Sequence, residues 1–434
     1  MSDTESGLKK RLGLLSTTLV GIGGILGAGI YVLVGVAAGE AGNAVWLSCL
    51  IAAVVAGLTG ISYARLSRIK PQNAPEYQYL NMAFGRFTAF IAGWLILCSV
   101  IISTAAVALG FAGYLEHWLG VPYLESAIVL IIVCSFLVFW GVKESAIAVG
   151  LLTVLEVGAL VFIIAVGIPH IGEVNLLETA PAGFTGIISA ACLLFFAYLG
   201  FESMANLAEE MKNPRRDLPR AIILAISITT IIYILVAVAG VSVLGWSNLS
   251  QSNSPLADVA ASALGRRTDL LLIVAALAST ANTVLLLLFA SSRAMHAMSK
   301  ERVLPGIFSS LGKRRRTPWI TVIIVGILAC LFTVFRNIGQ IADFTNFIVL
   351  LAFAGVNVSV MKIFSGTEAG KGSKNILLNR VLPVLGCIVC LALAAYSGWK
   401  AAIFGVVVLG IGGIVYLIMN ATHSSEEDRS EKTG

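Results

Sequence analysis

The chain has 434 residues, of which 58% are hydrophobic and only 12% are charged, and its formal net charge is +6. A soluble domain is about half apolar and about a quarter charged, so this composition excludes a soluble globule of this size. Apolar runs of about 20 residues recur along the chain and predict a polytopic α-helical membrane protein.

The charged segment 1–13 precedes an apolar run that is too long for a signal-peptide core, so we expect a retained first span. Twelve spans are predicted in all, and they cover residues 14–38, 43–65, 87–114, 125–141, 145–168, 184–209, 220–245, 269–296, 319–335, 338–362, 379–397 and 400–420. Of the 29 lysines and arginines, 25 fall on the side of the N-terminus, and the other four are Arg266, Arg267, Arg336 and Lys400. The positive-inside rule therefore predicts cytoplasmic N- and C-termini in a plasma-membrane protein, with 1–13 as a cytoplasmic segment. The polar residues 421–434 predict a disordered cytoplasmic tail.

Two of the predicted spans contain sequences that hold a helix poorly. The first is "GIGGILGAGIY" at 21–31 in span 1, and the second is "FFAYLGFES" at 195–203 in span 6. Spans 1 and 6 open two sets of five spans and run in opposite directions, which is typical of an inverted-repeat transporter. We therefore expect a first repeat over 14–168, a second over 184–362, and an additional pair of spans over 379–420.

The glycines at 21–29 have three interpretations. A phosphate-binding turn of the G-x-G-x-x-G type fails, because Leu26 stands where the third glycine is needed. A helix-packing face is possible, because Gly23 and Gly27 form a GxxxG pair. The third interpretation is an unwound segment at the bilayer midplane, which persists only where its free backbone groups line a cavity. Free N–H groups suit a carboxylate and free carbonyls suit an ammonium group, so the two together describe an α-amino acid.

These motifs resemble the amino acid–polyamine–organocation (APC) permeases, and in particular their cationic-amino-acid-transporter-like branch. Two further stretches carry the resemblance: "EEMKNPRRDLPRAI" at 209–222 and "SSRAMHAMSKERVLP" at 291–305. The resemblance runs in order over nearly the whole chain. It implies an all-α fold with a five-plus-five inverted repeat, discontinuous helices 1 and 6 and two extra helices, and it implies coupled transport of amino acids by alternating access.

The resemblance also implies a set of substrate-binding residues. The N–H groups expected to bind the substrate carboxylate are those of Gly27, Ala28 and Gly29. The carbonyl groups expected to bind its ammonium are those of Gly24, Ile25, Phe196 and Leu199, with Ala197 in the same second break. Phe196 matches an aromatic position that covers the substrate in relatives, although ordinary core packing is the alternative. A small apolar pocket for the substrate side chain is expected near Ile102, Ser103 and Phe196, which favours small neutral amino acids.

Two carboxylates are candidates for coupling. Glu156 lies midway through span 5, and an ionisable residue at the centre of a membrane helix is a functional hypothesis by default. The resemblance implies that proton-coupled relatives often carry a lysine at this position, so here the charge is reversed. We expect Glu156 to carry a proton, or else to ligate Na⁺ with Ser279 and Thr280 of the run "STANT", or to fix helix packing as a neutral acid. Glu202 either caps a half-helix or senses protons.

One departure from the family concerns the loop after span 2. Relatives usually carry paired glycines before a Tyr-x-Tyr there, whereas this chain reads "NAPEYQYL" at 73–80. That loop packs near the inner gate in relatives, so the gating details do not transfer directly.

Other classes of function were considered. An enzyme would need a convergent set of nucleophile, base or metal ligands within the spans, and none is present in the sequence. A transporter built of two six-span halves is expected to have a long central loop, and a sensor is expected to have a soluble output domain. We expect no cofactor, no metal and no nucleic-acid partner, only a coupling ion, H⁺ or Na⁺. Uniport, symport and exchange with amino acids or polyamines remain open, and so does the oligomeric state.

Overall fold

The computed structural model of the chain describes residues 12–69, 75–140, 146–265, 269–312, 317–365 and 376–433. Predictions that fall elsewhere, such as most of the segment 1–13 and the basic run 313–316, lie outside the described residues. The described residues are almost entirely helical and contain no strand. The first eight α-helices are α1 (Leu14–Ile25), α2 (Ala28–Ala41), α3 (Val45–Ile69), α4 (Pro75–Phe84), α5 (Arg86–Leu119), α6 (Tyr123–Trp140), α7 (Ala146–Gly167) and α8 (Gly183–Phe195). The others are α9 (Pro214–Gln251), α10 (Pro255–Leu264), α11 (Asp269–Lys300), α12 (Trp319–Thr333), α13 (Ile338–Ser365), α14 (Leu382–Tyr396) and α15 (Gly398–Thr433).

Ten helical stretches within the described residues are long and apolar enough to cross a bilayer. One of them, Ala28–Ile69, holds two helices, α2 and α3, which are separated at Gly42, where φ is 73°. Two further apolar helices, α1 and α12, have 12 and 15 residues and coincide with parts of predicted spans 1 and 9. A rise of about 1.5 Å per residue makes each of them shorter than the bilayer core. The chain is thus a multi-pass membrane protein.

The interior of the bundle is formed by small and aromatic side chains around α5. This helix packs against α11 and α13, while α3 packs against α9. Six tyrosines rank among the largest fully buried side chains, and they are Tyr31, Tyr63, Tyr79, Tyr114, Tyr198 and Tyr233. A buried phenol hydroxyl needs an acceptor, and four of these hydroxyls donate to backbone carbonyl groups inside the bundle, those of Tyr31, Tyr114, Tyr198 and Tyr233.

The last helix is longer than the sequence predicts. α15 continues to Thr433, whereas residues 421–434 were expected to form a disordered tail. The expectation rested on polarity alone. Glutamate, lysine and arginine are also good helix formers, and a helix that leaves the apolar span can therefore continue through them.

Candidate functional site

The first predicted interruption is present, and it is narrow. α1 ends at Ile25, the N–H group of Leu26 still bonds to the Ile22 carbonyl at 2.7 Å, and α2 starts at Ala28. Gly27 is non-helical, with φ −43° and ψ −163°, and no side chain caps the N-terminus of α2. The helix is therefore broken at residues 26–27, and the first N–H groups of α2 have neither an intrahelical partner nor a side-chain cap.

The glycines before the break serve helix packing. Gly21 and Gly23 lie within α1. A Cβ atom on Gly21 would lie 2.5 Å from the sulfur of Met204, and one on Gly23 would lie 2.5 Å from the hydroxyl of Thr153. The glycine-rich stretch thus contains both arrangements that the sequence left open. Its first glycines allow close packing, and Gly27 marks the break.

The second interruption follows α8. Phe196–Tyr198 form a 3₁₀ turn, Leu199 is extended with ψ 140°, and Gly200 has φ +123°, a conformation that favours glycine. The chain then continues as a 3₁₀ helix over Glu202–Glu210. Residues 199–201 therefore separate two helical segments inside the predicted span.

The two breaks are in direct contact. A Cβ atom on Gly29 would lie 2.6 Å from the Cα of Ala197, so the first turn of α2 rests on the backbone of the second break. A Cβ atom on Gly200 would likewise collide with the carbonyl of Gly24, at the end of α1. Glycine at 29 and 200 is what allows the two interrupted helices to approach this closely.

Tyr233 of α9 joins the two breaks through its side chain. Its hydroxyl lies 2.8 Å from the carbonyl oxygen of Ile25 and 2.8 Å from that of Ala197. The single hydroxyl proton is shared between these two acceptors. Both carbonyls thus gain a polar partner in an environment where an unpaired backbone group costs several kcal/mol.

An apolar cleft lies beside the breaks. Its lining residues are Ala28, Gly29, Val32, Leu33, Ala106, Val107, Phe196 and Ile338. The lining exposes no polar surface, and the cleft is too narrow for a water molecule. Ile102 and Ser103 are buried on α5, but Ala106 and Val107, one helical turn further along, form the wall of the cleft.

Most of the other predicted substrate-binding residues are buried at the breaks. Gly27 and Leu199 are half-buried, and Gly24 is exposed on the face of α1 that also exposes Leu19 and Val20. Its carbonyl nevertheless faces Gly200. The carbonyl of Phe196 accepts a bond from the N–H group of Leu199 at 3.2 Å.

Glu156 lies beside the first break and is 3% exposed. Its backbone carbonyl accepts a 2.9 Å bond from the Tyr31 hydroxyl of α2. The Ser279 hydroxyl faces its carboxyl group and makes no hydrogen bond to another group in the part of the chain that is described. Thr280 points elsewhere, because its hydroxyl donates to the carbonyl of Ala276 at 2.6 Å within its own helix. The structure therefore brings Glu156 and Ser279 together and leaves Thr280 out.

A third residue of the same run approaches the break. A Cβ atom on Gly27 would lie 3.1 Å from the Thr283 hydroxyl, which donates to the Ser279 carbonyl at 2.9 Å. α11 thus contacts the first break at Thr283 and faces Glu156 at Ser279.

Glu202 belongs to the second break instead. Its two carboxylate oxygens lie 2.8 and 3.1 Å from the backbone nitrogen of Gly200 and accept its N–H group. The bond holds a residue that precedes the 3₁₀ helix, and the N-terminus of that helix has no side-chain cap, so the capping role of Glu202 stays a prediction. Its proton-sensing role likewise stays a prediction.

Sequence reasoning missed several residues of this site, and Tyr233 above all. The available signal was a tyrosine within the apolar run "ITTIIYILV" at 228–236, because a hydroxyl buried at that depth requires an acceptor. Ala106 and Val107 carried no signal, since apolar residues on a membrane helix face either lipid or protein.

Comparison with known proteins finds relatives over almost the whole chain. A family model described as amino acid permease matches residues 12–427. The branched-chain amino acid permease BcaP of Bacillus subtilis (strain 168) is 28% identical over 441 residues, which cover 97% of this chain and 95% of the relative. The methylthioribose transporter of the same strain is 28% identical over 438 residues, covering 96% and 95%. The vacuolar cationic amino acid transporter 4 of Arabidopsis thaliana is 30% identical over 385 residues, covering 83% and 64%.

These relatives are named as permeases and transporters, not as enzymes. The family model spans almost the full length of the chain. The resemblance seen in the sequence motifs is thereby confirmed, and the chain belongs to the amino acid permease family of the APC superfamily.

Proposed function

We propose that this protein is a secondary active transporter that moves amino acids by alternating access and holds its substrate on the backbone of the two broken helices. The observation that supports this is the contact between the breaks. The start of α2 lies on Ala197, and Tyr233 bonds to carbonyls on both sides. Interrupted helices that meet in a membrane protein are the usual location of a transporter site.

The chemistry of the two breaks suits a zwitterion. The uncapped N–H groups at the start of α2, from Gly27 to Gly29, carry the positive end of the helix dipole and suit a carboxylate. The carbonyls of Ile25 and Ala197 share one hydroxyl proton between them. Each carbonyl oxygen has two lone pairs, so both retain the capacity to accept a bond from a substrate ammonium group.

The cleft beside the breaks does not admit even water in this structure, so a substrate side chain would enter it only in a more open conformation, and its apolar walls would then favour an apolar side chain. Its walls are alanine, valine, leucine, isoleucine and phenylalanine side chains, and it exposes no polar surface. A cationic or acidic side chain would lose its hydration there without gaining a partner. We therefore expect neutral, apolar amino acids to be preferred over cationic ones, and the name of the branched-chain relative agrees with this class.

Coupling to protons is assigned to Glu156. Its carboxyl group is buried beside the first break and faces Ser279, so its charge state affects the end of α1 where the substrate would bind. Sodium coupling is the alternative, because the carboxylate, the Ser279 hydroxyl and the Thr283 hydroxyl supply the oxygen atoms that such an ion prefers.

The proposed topology has twelve crossings. Interrupted α1–α2 and interrupted α8 would open two inverted sets of five spans, and α14 and α15 would follow as an additional pair. The charge distribution supports cytoplasmic termini in a plasma-membrane protein. Labelling of single introduced cysteines with a membrane-impermeant reagent, one loop at a time, tests this topology.

The function itself is tested with purified protein in liposomes. Counterflow of labelled leucine, alanine, lysine and a polyamine, with and without a pH or sodium gradient, reports the substrate class and the coupling ion. Uptake of neutral amino acids that a proton gradient stimulates would support the proposal. Uptake of polyamines alone, or of none of these compounds, would contradict it.

A further inference from the structure

A pair of carboxylates, the buried Glu76 and the half-buried Glu202, lies at the end of the bundle where α1 begins. Glu76 of α4 is only 6% exposed, and it accepts a 2.6 Å hydrogen bond from the Tyr63 hydroxyl of α3. The bond joins α3 to α4, and α4 includes residues 75–80 of the stretch whose sequence departs from the family pattern. Glu76 is therefore held by a specific partner and does not face solvent.

Glu202 of the second break completes this pair. Its carboxylate is close enough to Glu76 and to Tyr63 to interact electrostatically with both, while it accepts the N–H group of Gly200. Glu76 is thus connected through Tyr63 and Glu202 to the segment that contacts the end of α1. Glu202 is half-buried, and like charges on the two interacting carboxylates disfavour each other.

A further hydroxyl beside the pair has no partner. Tyr79 of α4 is 1% exposed, its hydroxyl makes no hydrogen bond to a described group, and it interacts electrostatically with Glu76. The rings of Tyr63 and Tyr79 lie 6.1 Å apart, and Phe201 and Phe353 pack on Tyr63 at 5.9 and 5.7 Å. A polar group this deeply buried requires a partner, and a proton shared with the carboxylates would supply one.

No cation balances this charge among the described residues. The groups that act on the Glu76 carboxyl are Tyr63 of α3, Tyr79 of its own helix and Glu202 of the second break. Lys362 of α13 lies at the far end of α4, with its ammonium 4.5 Å from the centre of the Phe84 ring. Within the described part of the chain, no ion pair neutralises the two carboxylates.

We propose that Glu76 and Glu202, which both interact with Tyr63, form a proton-binding gate that holds the α1 end of the bundle closed while Glu76 carries a proton. This proposal rests on the proposed transport function. Loss of the proton to water leaves a buried charge on Glu76 beside the Glu202 carboxylate, so desolvation and repulsion favour the separation of α4 from the second break, which opens this end. The charge pattern predicts that the end faces the cytoplasm, so the gate would open on the alkaline side of the membrane.

The direction of the pH effect follows from Glu76. Burial raises the pKa of its carboxyl, and the hydrogen bond from Tyr63 lowers it in part. A raised pKa in the closed form means that the closed form binds the proton more tightly than an open, solvated form does. The closed form is therefore most favoured below the ordinary glutamate pKa and is progressively disfavoured as the pH rises towards the raised value.

The first test uses purified protein and needs no substrate. Thermal stability is measured from acidic to mildly alkaline pH for the wild type, for Glu76→Gln and for Tyr63→Phe, with Glu125→Gln, an exposed position on α6, as the control. The wild type and the control should lose stability as the pH rises, and Glu76→Gln should lose most of that dependence. A wild-type profile that Glu76→Gln leaves unchanged would overturn the proposal.

The second test uses membrane vesicles of both orientations that exchange labelled substrate. The pH is changed only on the outer face of each vesicle. Wild-type exchange should respond to the pH on the α4 side, and Glu76→Gln should lose that response while keeping the response on the opposite side. Normal transport by Glu76→Gln, with a full pH response on both sides, would refute the gate but would leave the proposed transport function standing. A wild type that transports no amino acid would refute the proposed function. The pH dependence of thermal stability would still test whether Glu76 and Glu202 bind a proton.

Discussion

The hydroxyl of Tyr233 lies 2.8 Å from the carbonyl oxygen of Ile25, the residue at which α1 ends. The same hydroxyl lies 2.8 Å from the carbonyl of Ala197 in the second break. One side chain of α9 is thus bonded to both interrupted helices. Movement of either break relative to α9 changes the partner that receives its proton.

Replacing Tyr233 with phenylalanine removes this connection without creating a large cavity. A net hydrogen bond contributes about 0.5–1.5 kcal/mol, and unpaired partners cost more. We expect kcat/KM for amino acid uptake to fall about tenfold, which corresponds to about 1.4 kcal/mol. Radiolabelled uptake in liposomes measures the effect.

Tyr114→Phe is the matched control for Tyr233, because it removes an equally short bond to a helix carbonyl outside the breaks, that of Tyr31. If both variants lower uptake equally, Tyr233 has no special role at the breaks.

Gly29→Ala tests the contact between the breaks. The added Cβ atom would lie 2.6 Å from the Cα of Ala197, so α2 and the second break must separate. Overpacking of this kind costs about 1–3 kcal/mol, and it falls here on the proposed substrate site. We expect uptake to be nearly abolished, while the protein still reaches the membrane.

Gly158→Ala on α7 is the control for Gly29→Ala, since no atom lies within 4 Å of its added Cβ. Its uptake should match that of the wild type. Wild-type uptake by Gly29→Ala would show that close approach of the two breaks is not needed.

Glu156→Gln tests the proposed coupling residue. The amide cannot carry a proton, so uptake should no longer respond to a proton gradient, while exchange of internal for external substrate continues. Glu173→Gln, with its exposed side chain, should keep the response. Full pH dependence in Glu156→Gln would dispose of the proton-carrier role, and a loss of sodium stimulation would favour the sodium alternative.

Ile338→Ala tests whether the apolar cleft selects the substrate. Shortening this side chain widens the cleft, so larger apolar amino acids should compete for uptake more strongly relative to smaller ones. A methylene group in an apolar pocket is worth about 1–3 kcal/mol, or about 10–200-fold in preference. Competition of unlabelled alanine, valine, leucine and phenylalanine against a labelled substrate measures the change.

Ile327→Ala provides the comparison for Ile338→Ala, because Ile327 is 56% exposed on the outer surface of the bundle. An unchanged order of competitors in Ile338→Ala would exclude the cleft as the side-chain pocket.

The positions of the two breaks were predictable because they depend on local chemistry. Glycine is a poor helix former, and Gly27 and Gly200 each mark a non-helical point within a stretch singled out from the sequence. The extent of the first break was not predictable. Gly21 and Gly23 remain helical because Met204 and Thr153 occupy the space beside them, and those contacts involve residues far away in the chain.

For the coupling candidates, too, part of the site could be predicted from the sequence and part could not. The burial of Glu156 followed from its place in an apolar span, and the structure agrees. Its pairing with Ser279 instead of Thr280 depends on the rotation of α11 about its axis, which the sequence of that helix does not specify. The burial of Glu76 could not be predicted from the sequence either, because nothing in the sequence of an expected loop indicates that its acidic residue packs against Tyr63.

Hydrophobicity, charge and glycine content act over a few neighbouring residues, so the membrane class, the family and the places where the helices weaken could be predicted from the sequence. The tertiary structure alone decided which groups meet: Tyr233 with the carbonyls of Ile25 and Ala197, and Glu76 with Tyr63 and Glu202. The reason is that a membrane helix must satisfy its buried polar groups from neighbouring helices, and the choice of neighbour is made only when the whole bundle packs.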